Sequence, residues 1–338
     1  PKPQTPNPKP QTPNPSADLL AISTMQPSPQ VIVPTTEEIA KRWNVFCFHY
    51  TQHASKAFHA SGIEMFNYIR AEESDTILEM GCGDGTSTVD FALMKKEGAK
   101  LICNDIAPNM CKITYERLKR LDEDIKAGRM MGHRQRVMAP VDTEKVEFDG
   151  KAKSIPNLNT EVIISDNENM QGLVQDGIVD SLIASLSLHI VNSPENMLKE
   201  CIRVMKTGGK AIFTVWGAQE QSYQFLLIDK TKENFGVPIP TNKRNSWHLN
   251  DKTKLIKMVE TAGFKDVIAW ERPSVFIKRD DASRRDEIRY LLKVEWPADK
   301  EDKLDEAIEF LFNEQEKIYK EKKYPIALNI LYVTGTKA

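Results

Sequence analysis

Residues 77–88 read ILEMGCGDGTST. Three glycines, Gly81, Gly83 and Gly85, alternate with other residues directly behind a short apolar run, and Glu79 stands just ahead of the first. Glycine adopts left-handed backbone torsions at no steric cost and lets another group lie against the main chain. Three in alternation therefore mark a tight strand-to-helix turn approached closely by a ligand. Turns of this kind belong to open α/β sheets, whose ligands bind beyond the carboxyl ends of the strands, where the strand order reverses.

The chain around the turn has the periodicity such a sheet needs. TILEM (76–80), AKLICND (99–105), TEVIISD (160–166), part of 177–191 and KAIFTVWG (210–217) read as buried strands. Between them 86–98, 107–128 and 194–209 read as helices, the last closing on the pair Gly208 and Gly209. Apolar strands alternating with helices of this length predict right-handed βαβ units in a doubly wound, mostly parallel sheet. The alternation continues more loosely, with a helix at 250–264, a strand at 265–271 and a final strand at 326–338. The expectation is an α/β, Rossmann-like sheet of seven strands with a helical cap and lid insertions. The cap covers 35–75, opened by Thr35 or Thr36 as N-cap, and the core covers 76–217. Segments 129–160, without clean periodicity, and 217–250 and 275–324 are expected as inserts over one end of the sheet.

Residues 1–34 have a different texture. KPQTPNP at 2–8 recurs at 9–15, and more than half of the 19 prolines precede Thr35. Such a tract cannot build a ladder of backbone hydrogen bonds and is expected to be a disordered, extended linker. The chain begins at Pro1, which suggests processing or a fragment, with this tract as a tether to a larger polypeptide or assembly.

Composition excludes several partners. Of 338 residues, 40% are hydrophobic and 28% charged, yet the net charge is only −2, so no global positive field attracts nucleic acid or an anionic membrane. No apolar run has the length of a membrane span. The five cysteines are scattered and form no C-x-x-C pair, which fits reduced thiols in the cytoplasm. His49, His53 and His59 lack an accompanying carboxylate or thiolate at metal-ligand spacing, and no metal is expected.

Spacing narrows the ligand. A dinucleotide fingerprint, G-x-G-x-x-G, would put its third glycine at position 86, where Thr86 stands; the pattern present is E-x-G-x-G-x-G. With it, the chain resembles the class I S-adenosylmethionine-dependent methyltransferases, in their small-molecule, methyltransferase type 11-like branch. CNDIAPNM (103–110), ISDNENM (164–170), SLSLHIV (185–191) and LKECIRVMKTGGKAIFTVWG (198–217) are similar to successive segments of that family, as is ETAGFKDV (260–267).

The resemblance implies S-adenosylmethionine as cofactor, S-adenosylhomocysteine as product and a small-molecule acceptor methylated on oxygen or carbon, with nitrogen as a further option. It implies cofactor contacts from Glu79, Gly81, Cys82 and Gly83. Asp105 would accept from the ribose hydroxyls, with Ile106 beside it. Asp166 would take the adenine amino group, Asn167 would offer its backbone amide, and Ser185 and Leu186 would lie beneath the cofactor. The helix start after Gly85 would face the methionine carboxylate. His189 is the candidate base, and Tyr50, His189 and Trp216 are the candidate acceptor contacts. No N-P-P-[YF] segment follows the fourth strand, which argues against base or glutamine methylation. Two rivals remain: a methyltransferase-fold scaffold without catalysis, and a nucleotide-dependent oxidoreductase.

Overall fold

A computed structural model describes residues 31–239, 244–275, 280–293, 296–323 and 326–338. The tract before residue 31, including both proline-rich repeats, lies outside the described residues. The cap consists of α1 (Thr36–His49), a π-helical turn over Tyr50–Ala54 and α2 (Ser55–Tyr68). Thr35 closes the N-terminus of α1 in a capping box: its hydroxyl accepts from the Glu38 amide at 3.2 Å, and the Glu38 carboxylate accepts from the Thr35 amide at 2.8 Å.

The sheet strands are β1 (Thr76–Met80), β2 (Lys100–Asp105), β3 (Ala152–Ile155), β4 (Thr160–Ile164), β5 (Val179–Ala184), β6 (Met205–Trp216), β7 (Phe264–Val275) and β8 (Ala327–Lys337). They lie in the order β3-β4-β2-β1-β5-β6-β8-β7. From β4 through β6 the neighbours run parallel, whereas β8 is antiparallel to both β6 and β7. The chain leaves β1 toward β2 and β4, then returns on the other side through β5 and β6. The β1/β5 junction is therefore the switch point.

Eight strands stand where seven were expected. The extra one is β3, which pairs antiparallel with β4 at the sheet edge and comes from the aperiodic segment 129–160. A four-residue edge strand with one buried face carries too little periodicity to be read locally. The helices are α3 (Thr88–Met94), α4 (Pro108–Lys126), α5 (His133–Val137), α6 (Pro194–Val204), α7 (Tyr223–Asn234), α8 (Lys252–Ala262), α9 (Asp281–Lys293) and α10 (Leu304–Lys317). The helix expected over 194–209 ends at Val204. Its glycine pair belongs to a bulge: the β5–β6 register runs from Val179↔Met205 directly to Ser181↔Lys210, with Gly208 at φ +81°.

Apolar layers fill both sheet faces. Leu78, Met80, Leu182 and Phe213 point toward α6 and α8, and Ile77, Leu101, Ile183 and Ile212 point toward α2 and α3. This alternation follows the two-residue strand period. A separate apolar core, including Leu227, Ile288, Leu292, Ile308 and Leu311, unites α7, α9 and α10.

Candidate cofactor and acceptor site

The glycine turn joins β1 to α3 at the switch point. All three glycines have positive φ, +73° at Gly81, +57° at Gly83 and +74° at Gly85, but their surroundings differ. A Cβ on Gly81 would come within 2.9 Å of the Ser187 Cβ, and one on Gly85 within 2.8 Å of the Thr114 Cγ2. At Gly83 the nearest atom would be the Tyr50 Cε1, at an ordinary 3.5 Å. Gly81 and Gly85 are thus required by protein packing, while Gly83 faces the ring of Tyr50, carried by the π-helical turn of the cap.

Neighbouring strands hold the turn. The Asn104 carbonyl accepts from the Gly81 and Cys82 amides, each at 2.9 Å, and Asp105 at the end of β2 accepts from the Gly83 and Ala107 amides, each at 2.9 Å. Both carboxylate oxygens of Asp105 keep acceptor capacity beyond these bonds. Burial raises the Asp105 carboxyl to about 6 despite the amide donors. Glu79 is buried, accepts from the Thr88 hydroxyl at 2.6 Å and is raised to about 8, chiefly by burial. Its contact ties the end of β1 to the start of α3.

Asp84, inside the turn, is matched by a cation. Arg117 of α4, itself buried, pairs with the Asp84 carboxylate at 2.9 Å and donates to the Asp84 carbonyl at 2.7 Å and the Thr86 hydroxyl at 3.1 Å. Sequence reasoning missed this clamp because an arginine within a charged helix reads as solvated. The available signal was the three-residue spacing of Thr114 and Arg117, which puts both on one face of α4. Cys82 is buried with Cys103 and Cys111, and the hydrogen bond with Cys103, followed by burial, pushes its thiol well above the ordinary range. α3, at seven residues, is shorter than the 86–98 expected.

The third segment reaches the turn through an amide relay. Asn104 Nδ2 donates to Asn167 Oδ1 at 2.7 Å and to the Ser165 carbonyl at 3.3 Å. Asn167 is buried; Asp166 is half-buried and accepts from the Glu168 amide at 2.9 Å. Ile106, Ser185 and Leu186 lie half-buried at the ends of β2 and β5. Leu186 has φ +49°, a conformation uncommon for a bulky residue, and its amide donates to the Thr214 hydroxyl at 2.8 Å. Next to it, the Ser187 hydroxyl donates to the Met80 carbonyl at 3.2 Å.

His189 and Trp216 belong to a second cluster. Their rings are 5.5 Å apart, and Trp216 also meets Phe58 at 5.6 Å and Phe225 at 5.4 Å, with Trp247 a further 5.1 Å from Phe225. Burial lowers His189 to about 3, so its imidazole is neutral at physiological pH. The histidines weighed for metal are otherwise engaged. His49 and His53 stack on Tyr290, at 4.1 and 5.3 Å, and His59 bonds Asp90 at 2.6 Å. Among the described residues no group of three ligating side chains could hold a metal ion.

A methyltransferase-domain family model matches residues 50–268. The thiol S-methyltransferase TMT1B of Rattus norvegicus is 26% identical over 230 residues, covering 66% of this chain and 75% of that protein. Among solved structures, phosphoethanolamine N-methyltransferase 2 of Haemonchus contortus, bound to phosphomonomethylethanolamine and S-adenosylhomocysteine, is 12% identical with a TM-score of 0.49. That alignment covers 90% of this chain and 60% of that one. The YcgJ protein of Bacillus subtilis is 14% identical with a TM-score of 0.45, covering 82% of this chain and 98% of that one. With the E-x-G-x-G-x-G turn at the switch point, the Asp105 carboxylate at its rim and a family match across most of the sheet, the chain belongs to the class I S-adenosylmethionine-dependent methyltransferases.

Proposed function

We propose that this protein transfers the methyl group of S-adenosylmethionine to a nucleophilic atom of a small, apolar acceptor, on oxygen or carbon or, as in the rat relative's name, on a thiol sulfur. The observation that carries the reading is that one segment after β5 packs on two differently built halves, Ser187 on the Met80 carbonyl ahead of the glycine turn and His189 on the Trp216 ring. One half is glycine backbone, Asp105 and the Asn104–Asn167 relay; the other is a wall of rings around Trp216.

When bound, the cofactor supplies an electrophilic methyl on a sulfonium, so no covalent nucleophile is required of the protein. Asp105 accepts from the ribose diol with the acceptor capacity its amide partners leave. Gly83 leaves the turn bare opposite Tyr50, and the backbone of Ser185 and Leu186 supports the cofactor from below. Asp166 and Asn167 bind the adenine edge. Tyr50 and Trp216 exclude water from the reacting centre, and aromatic faces favour a cationic methyl donor.

His189 serves best as a hydrogen-bond acceptor that orients the acceptor group. With a value near 3 it takes up a full proton only when the developing imidazolium is stabilised. Residues 35–75 act as cap and 76–217 as core, with 129–160 contributing the edge strand β3, and the described residues of 217–250 and 275–324 act as covering segments. The five cysteines, all free and buried, fit a reducing, cytoplasmic setting. Among the described residues no helix is long and apolar enough to cross a membrane.

Calorimetric titration with S-adenosylmethionine and S-adenosylhomocysteine tests the cofactor half. Binding of both is expected, weakened about tenfold or more in Asp105→Ala, because a buried hydrogen-bonded anion is removed. Transfer of a labelled methyl to a panel of phenols, enols and thiols tests the acceptor half. If neither cofactor form binds the wild-type protein, the reading fails.

A further inference from the structure

Cap residues on either side of Tyr50 are held by α9, a helix far from them in sequence. His49 and His53 stack nearly parallel on the ring of Tyr290, with centroids 4.1 and 5.3 Å away and planes 14° and 17° apart, and Phe46 lies 5.7 Å from it. Tyr290 is buried, yet the core of its own helix does not use it. Ile288 and Leu292 belong to the core that α9 shares with α7 and α10, and a residue two positions from each lies roughly 200° away round the helix. Tyr290 is therefore buried by the cap. Its hydroxyl has no hydrogen-bond partner among the described residues, so the contact is made by the ring and bears the cost of an unpaired polar group. The stretch held by that ring, Tyr50–Ala54, is a π-helical turn between two α-helices, a form found mostly as single turns at functional positions. Its first residue stands over the glycine turn: a Cβ on Gly83 would lie 3.5 Å from Tyr50 Cε1. One short turn thus joins the cofactor side of the cap to α9.

We infer that Tyr290 is a positioning residue for the cofactor, holding the π-helical turn so that Tyr50 stays against Gly83 and coupling cofactor binding to the docking of α9. The inference rests on the reading above, in which Tyr50 bounds the cofactor. Ring pairs at these distances each contribute beyond the area they bury. Without the ring, His49 and His53 lose their stacking partner, and the turn that carries Tyr50 relaxes. Coupling of this kind is reciprocal: a cofactor that needs Tyr50 in place also favours α9 in place. The Tyr290 hydroxyl, having no partner, adds nothing to the coupling, so phenylalanine should serve in its place.

The test applies calorimetry and hydrogen exchange followed by mass spectrometry to the whole chain, with S-adenosylhomocysteine as the probe. In the wild-type protein, saturating S-adenosylhomocysteine should slow exchange in the turn at 50–54 and, about threefold or more, in α9. Tyr290→Leu should weaken S-adenosylhomocysteine about tenfold and abolish the protection of α9, while the amides beside Gly83 stay protected. Tyr290→Phe should keep both within about twofold of wild type. A residue that only stabilised the fold would give no ligand-dependent change in α9, so exchange in the wild-type protein answers the question even if the leucine variant does not fold. Protection confined to the cap and the glycine turn, unchanged affinity in Tyr290→Leu, or a loss in Tyr290→Phe equal to that in Tyr290→Leu overturns the inference. Absence of S-adenosylhomocysteine binding to the wild-type protein overturns the methyl-transfer reading together with this one, whereas binding that leaves α9 unprotected overturns this one alone.

Discussion

Glu79 shows how far burial moves a single residue from its ordinary chemistry. Its carboxyl rises from 4.5 to about 8, first because it is buried and then because Asp84 and Asp105 are close, with only the Thr88 hydroxyl opposing. Between those values the folded protein retains a proton that the unfolded chain has released. The stabilisation is complete below about 4.5 and is lost as pH climbs through about 8. Asp105 adds the same sign between 3.8 and about 6. Urea unfolding at pH 6, 7 and 8 should therefore show wild-type stability falling by up to about 1 kcal/mol per pH unit. Glu79→Gln, neutral and of the same shape, should be nearly flat across that range. Parallel slopes for the two proteins would refute the assignment. The presence of Glu79 before the glycines was plain from the sequence, but its protonation was not, because burial is a property of the assembled sheet.

At the scale of the element, the glycine turn separates into packing and ligand positions. A methyl group at Gly85 would meet Thr114 side-chain and backbone atoms at 2.7–3.0 Å, on a backbone already at φ +74°. Gly85→Ala should cost about 2–4 kcal/mol, from overpacking together with left-handed strain. Gly83→Ala meets only the edge of Tyr50 at 3.5 Å and should cost about 1 kcal/mol of stability. Its larger effect should be on cofactor affinity, because the added methyl occupies the one face of the turn left bare. Thermal melts and calorimetry on the two variants decide the matter; similar losses of stability in both would contradict the division. The order of the glycines was legible in the chain, whereas their division of labour depends on Thr114, Ser187 and Tyr50, which arrive from three other elements.

Over the whole molecule, the doubly wound sheet and the α7, α9 and α10 helices have separate apolar cores. The core of α7, α9 and α10 should open at lower free energy than the strands flanking the switch point. Leu311→Ala removes a fully buried side chain from that core and should destabilise these helices by about 2–5 kcal/mol. Hydrogen exchange followed by mass spectrometry should show faster exchange in α7, α9 and α10, with β1, β2 and β5 unchanged. Uniform acceleration across the sheet would mean that the two cores unfold as one.

The sequence by itself determined the βαβ alternation, the turn at the switch point and the carboxylate ending β2. Each is written in local periodicity and short spacing, which need no distant partner to be read. Only the tertiary structure decided that 152–155 forms an edge strand, that Gly208 and Gly209 make a bulge, and that Arg117 is buried against Asp84. It alone brought the 244–248 segment onto the backbone of His189. These features come from pairings that range from Ile155 with Thr160 to His189 with His248, whose free energy depends on burial, and burial exists only once the sheet and its covering helices have come together.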